Sequence, residues 1–188
     1  MSTITVPVPT RDQLTPEGQA IYDQLHKAFG KVPNLFATIG WSHHALGAYL
    51  TFQSSLEKGA FNAKERQAIY LSVSQVNECV YCQAAHTTLG KRAGLTEEET
   101  RQIRAGVHPD SRLNAIARLA AAVQEQHGRV APELISAFYA EGFDHAALIE
   151  LISLVADKAL ANYVHNLTQV PVDFPAAKPI DDLLAVAN

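Results

Sequence analysis

The sequence predicts an all-α protein with a compact helical fold of about seven to eight helices, and three kinds of observation carry that expectation. Apolar residues recur at the three- and four-residue spacing of an amphipathic helix along most of the chain. Capping residues open several of these runs, and glycine or proline closes them. No run alternates between apolar and polar residues for long enough to form a half-buried strand.

The elements follow in order. Thr15 caps a first helix with Pro16 at its first position, and Ile21, Leu25, Ala28 and Phe29 keep helical spacing until Gly30. A second helix is expected from about Ser42 to Lys58, with Leu46, Tyr49, Leu50 and Leu56 as its apolar surface. Asn62 to Glu65 reads as a capping box, opening a helix that carries Ile69, Val73 and Val76 and breaks near Asn77-Glu78. The next helix begins at about Cys79 and ends near Gly94. Thr96 to Glu99 is a second capping box, for a short helix that stops by Gly106. His108-Pro-Asp-Ser111 reads as a turn. Further helices are expected at about 112–127, 132–140 and 145–166, then an extended, proline-punctuated tail over 170–188.

A chain of 188 residues suffices for one core rather than two, so residues 1–188 are expected to form a single domain. A net charge of −4 gives no basic footprint, which argues against nucleic acid or an anionic membrane surface as partner. Met1 to Thr10 lacks the basic start and apolar run of a signal peptide. No stretch approaches the roughly 18 apolar residues of a membrane span. A cytoplasmic location is therefore expected, where a close cysteine pair points to redox or metal chemistry more than to a disulfide staple.

Cys79 and Cys82 are the only two cysteines, and on a helix they share a face with His86. Cys82 and His86 form an i, i+4 pair, within reach for the imidazole to take the thiol proton directly or through one water. A helix start near Cys79 adds unpaired N–H groups and the positive end of the macrodipole, both of which favour a thiolate. A thiolate attacks a peroxide or disulfide, and the second cysteine can then condense with the sulfenic acid. The dipole favours Cys79 as the attacking thiol, and the base favours Cys82. Glu78 beside Cys79 raises its pKa, so Cys82 is read as attacking and Cys79 as resolving. Structural zinc needs four ligands, and no second CxxC or HxxxH exists, so no metal is expected. Haem attachment fails at Gln83, which stands where a histidine is required. A pair of inert core cysteines remains an alternative.

The segment from Ser74 to His86, running on to Gly94-Leu-Thr, resembles the CxxC-xxx-H core of alkylhydroperoxidase AhpD-like proteins in the carboxymuconolactone decarboxylase family. The likeness spans roughly residues 40–107, and Asn162 to Pro171 resembles the C-terminal stretch of one subgroup. The resemblance implies an all-α homo-oligomer, trimer-based or dimeric, with no bound organic cofactor. It also implies that Cys82 attacks a hydroperoxide (or a disulfide substrate), Cys79 resolves it, and a glutamate and His86 relay protons. A dithiol or lipoyl-type reductant would restore the pair.

One position departs from the family pattern: the relay glutamate expected twelve residues before the first cysteine is Gln67, which cannot ionise. Glu65, Glu78 and Glu150 are the candidate replacements. Glu65 lies about 200° around the helix from Gln67 and is better explained by its cap. Glu150 precedes Asn162 by the spacing that separates Gln67 from Cys79, a weak internal echo. Two rival functions stand beside the peroxidase: a decarboxylase of muconolactone-type acids, and a non-catalytic redox sensor or oligomeric protein. His43-His44 is read as solvent-exposed, and Trp41 and His165 as core residues.

Overall fold

The computed structural model describes residues 5–187, so Met1 to Ile4 of the leading segment and Asn188 of the tail lie outside the described residues. Those described form ten α-helices and a short 3-10 turn, with no strand. The eight expected helices are all present: α1 (Pro16–Phe29), α3 (His43–Leu56), α4 (Ala63–Val76), α5 (Val80–Arg92), α6 (Glu97–Ala105), α7 (Ser111–Glu125), α8 (Pro132–Ala140) and α9 (His145–Thr168). Their starts follow the caps read from sequence. Thr15 accepts from Gly18 N, Asn62 and Glu65 exchange hydrogen bonds as a capping box, and Thr96 and Glu99 do the same.

Two helices lie beyond the expectation. The six-residue α2 (Asn34–Ile39) follows Pro33 with no side-chain cap, so neither a cap nor a period marked it. The tail is not extended throughout: α10 (Asp181–Ala187) follows Pro179, with Asp181 and Asp182 in its first turn. Trp41 is 43% exposed and donates to the Pro7 carbonyl, so it is not a core residue.

α4 is the central element. It packs against α5, α6, α7 and α9, which is why every residue from Ala68 to Ser74 is buried. One side of it meets Ile116, Leu119, Phe138, Leu151 and Leu154, where Phe138 stacks on Phe143 at 4.3 Å. The other side leads to a second cluster, in which Leu35, Leu46, Tyr49, Ala161 and Val170 enclose Cys79 and Cys82.

The α4–α5 junction places the cysteines. The Glu78 N–H reaches the Gln75 carbonyl and the Cys79 N–H reaches that of Ser74, a Schellman closure with Glu78 at φ 50°. A left-handed glutamate is strained by the contact of its Cβ with the backbone. Glu78→Gly is therefore expected to raise stability by about 0.5–1 kcal/mol in denaturant melts, relieving strain at some cost in chain entropy.

Candidate active site

Cys79 is the N-cap of α5, and its sulfur accepts the Cys82 backbone N–H at 3.4 Å. Both thiols are free and essentially closed to solvent. The hydrogen bond from the Cys79 thiol to the Cys82 sulfur pushes Cys79 well above the ordinary thiol range, and burial adds to this. The same bond draws Cys82 down, helped by the Lys158 charge and a hydrogen bond from Asn162, against burial and Asp157. The Cys82 backbone N–H, donated to the Cys79 sulfur, pulls the other way, but the thiol–thiol bond outweighs it, so Cys82 is the thiol that ionises more readily.

His86 lies at the middle of α5 and is buried beside the Tyr70 ring, centroids 4.8 Å apart. Its Nδ1 sits 2.8 Å from the Gln67 Oε1. An amide oxygen can only accept, so Nδ1 carries the proton and Nε2 keeps a free lone pair. Burial, and then the charge of Lys158, holds His86 well below its ordinary pKa, so the ring is neutral. Among the described residues no hydrogen bond joins His86 to Cys82. The imidazole is instead fixed from α4 by Gln67.

The candidate acids fall apart in space. Glu65 is spent on its cap and on Arg112, whose Nε donates at 2.7 Å. Glu78 is exposed, its backbone making the turn. Glu150 accepts from the Ala60 N–H. It lies twelve residues from Asn162 along the unbroken α9, about 18 Å at 1.5 Å per residue. The spacing from Gln67 to Cys79 crosses a helix break, so the echo between the two stretches has no structural counterpart. Of the four candidates, only Gln67 reaches His86.

α9 contributes residues that sequence reasoning did not assign. Asn162 donates to Ser74 Oγ at 3.3 Å and accepts from Asn77 Nδ2 at 2.9 Å, so it ties the α4 end to the cysteines. Asp157 and Lys158 are buried on the same helix. Asp157 Oδ2 accepts from Gln53 at 3.3 Å, while its Oδ1 is buried without a hydrogen-bond partner. Gln53 also donates to the Tyr49 hydroxyl at 3.0 Å. Burial and the Asp157 charge push the Tyr49 and Tyr70 phenols far above their ordinary range, so both stay protonated. The available signal was an Asp-Lys-Ala-Leu-Ala-Asn run inside an otherwise apolar helix. His165 is buried against Tyr81, centroids 5.5 Å apart, and is likewise held low by burial.

Residues 44–125 match the model of the carboxymuconolactone decarboxylase family. That stretch is similar to the carboxymuconolactone decarboxylase family over somewhat less than half of the chain. The family segment contains α4, both cysteines and His86, and it ends before α9. A comparison with the curated proteins finds no match. Among solved structures, an uncharacterized peroxidase-related protein from Silicibacter sp. TM1040 superposes with a TM-score of 0.77 at 20% identity, covering 91% of this chain and 92% of that one. An alkylhydroperoxidase AhpD core protein from Ralstonia eutropha JMP134, likewise an uncharacterized peroxidase-related protein, gives 0.77 at 20%, covering 98% and 96%. The debrominase Bmp8 in complex with 2,3,4-tribromopyrrole gives 0.75 at 15%, covering 92% and 93%. At these identities the likeness shows the fold alone: the chain shares the helical architecture of these proteins. No helix among the described residues is long and apolar enough to cross a membrane.

The two neutral histidines couple stability to pH. A histidine whose folded pKa lies below its unfolded value of about 6.5 binds its proton more readily when unfolded. Its contribution is thus fully present above pH 6.5 and is lost as pH falls toward the folded value. With His86 and His165 both lowered, stability is expected to fall below pH 6.5, by up to about 1.4 kcal/mol per pH unit for each. Urea melts from pH 7.5 to 5 check this, and a flat profile would contradict the assignment of two neutral rings.

Proposed function

We propose that this protein is a thiol-dependent oxidoreductase of the alkylhydroperoxidase type, with Cys82 as attacking thiol, Cys79 as resolving thiol and His86 as acid/base. One observation carries the reading: a buried pair of free cysteines in which one thiol donates to the other beside a neutral imidazole. The Cys82 thiolate attacks the outer oxygen of a hydroperoxide, breaking the O–O bond. The alkoxide takes a proton and leaves as the alcohol, with Cys82 now a sulfenic acid. The Cys79 thiol then attacks that sulfur, water leaves, and a disulfide forms across the CxxC. A dithiol or lipoyl-type reductant returns two electrons and two protons. His86, with Nε2 unprotonated, accepts the Cys79 proton and returns it to the leaving hydroxide.

A homo-oligomer belongs to the same proposal. The outer face of α9 exposes Ile149, Ile152, Leu160, Tyr163 and Leu167, a long apolar stripe that a second copy of the chain would cover. Decarboxylation of a muconolactone-type acid needs no thiol pair, and it would survive serine at both cysteines.

Single turnover tests the redox reading. Reduced protein treated with one equivalent of cumene hydroperoxide is expected to lose two titratable thiols and the mass of two hydrogens. Thiols that stay intact while the peroxide persists would overturn it.

A further inference from the structure

Lys158 is 3% exposed, and no carboxylate pairs with it among the described residues. Its ammonium lies 4.3 Å from the centroid of the Tyr70 ring, the same ring that packs on His86. A buried cation without a paired anion is costly, and a ring face offsets only part of that cost. Asp157 is the next residue, but it forms no ion pair with Lys158, and its carboxylate is engaged by Gln53 and the Tyr70 hydroxyl. Asn162, one turn further along, is on the Lys158 face and reaches the cysteines. Lys158 is therefore held over the Tyr70 ring that packs on His86, and its charge acts on both His86 and Cys82.

We propose that Lys158 is a positioning residue that holds the negative charge on Cys82, with Asp157 opposing it, so that α9 sets the reactivity of the thiol pair in place of an acid on α4. Gln67 has removed one ionisable group from the site, and Lys158 supplies a fixed charge from outside the family-matched segment. The titratable groups around Cys82 are Cys79 at the α5 N-cap, Tyr81 and His86 on α5, Tyr49 on α3, Tyr70 beside His86 on α4, and Asp157 and Lys158 on α9. His86 is neutral and the three phenols are protonated, so within this set the two α9 residues supply the opposing fixed charges. The catalytic use of this charge rests on the proposed function, but the charge itself can be measured without any substrate.

The test is an ultraviolet thiolate titration of the fully reduced full-length chain, with no peroxide present. Lys158→Met is expected to raise the thiolate midpoint by at least one pH unit, about a tenfold loss of thiolate at a fixed pH below it. Lys158→Arg is expected to keep the wild-type midpoint, and Asp157→Asn to lower it. A wild-type midpoint in Lys158→Met overturns the proposal. Should Lys158→Met fail to fold, Asp157→Asn decides, and an unchanged or raised midpoint there overturns it equally. Shifts as expected in a protein that never consumes peroxide would refute the peroxidase reading and leave this inference standing.

Discussion

Serine in place of Cys82 is expected to lower hydroperoxide turnover on the order of 10³-fold or more, because a hydroxyl in that setting supplies no nucleophile near neutral pH. The substitution is nearly isosteric, and the buried surroundings of Tyr49, Ala161 and Asn162 should hold. Cys79→Ser separates the two roles. It should consume one equivalent of hydroperoxide and stop as a Cys82 sulfenic acid, trapped by dimedone, since no thiol remains to displace the hydroxide. An exchange of roles would give the reverse pattern: a burst in Cys82→Ser and none in Cys79→Ser. Steady-state and burst-phase peroxide assays distinguish the two outcomes. Glu78→Gly, which changes only the turn, should leave both phases at wild-type rates.

Gln67→Glu is expected to raise peroxidase turnover by about 10²-fold, the lower end of what a positioned acid/base contributes. The carboxylate would stand where the amide oxygen now sits, 2.8 Å from His86 Nδ1, and would accept the same proton. Unlike the amide, it stabilises the imidazolium, so His86 could take a proton at Nε2 and pass it on. The pH profile gives the sign. In the wild type burial keeps His86 neutral well below its ordinary value, so its acid limb lies below pH 6.5. In Gln67→Glu that limb should move upward. A rate gain without such movement would mean that the carboxylate acts elsewhere, and no change in either would remove His86 from the relay.

Fold and site differ in how much of each could be read from sequence. The eight longer helices rest on local chemistry, in that Thr15, Asn62 and Thr96 cap within three residues and the periodicity names the buried face. α2 has neither signal. It forms because Leu35 and Ile39 are drawn into the cluster around the cysteines, a tertiary cause. The thiol pair and His86 were legible because a CxxC-xxx-H spacing places all three on one helix. Gln67 was legible as a departure from a pattern, but its hydrogen bond to His86 spans two helices and required the fold. Asp157, Lys158 and Asn162 meet the cysteines only because α9 crosses α4 and α5, and nothing local in their sequence fixes that crossing. Glu65 and Glu150 show the converse: acids well placed by sequence distance are consumed by Arg112 and the Ala60 N–H.

The central claim is that these two cysteines cycle, and it is tested most directly by continuous hydroperoxide consumption with dihydrolipoamide as electron donor, in wild type, Cys82→Ser and His86→Ala. The account predicts many turnovers per chain in the wild type, none above background in Cys82→Ser, and a rate lower by about 10²-fold in His86→Ala. A fully reduced wild-type protein that consumes no peroxide, or a Cys82→Ser protein that keeps pace with it, would contradict the account.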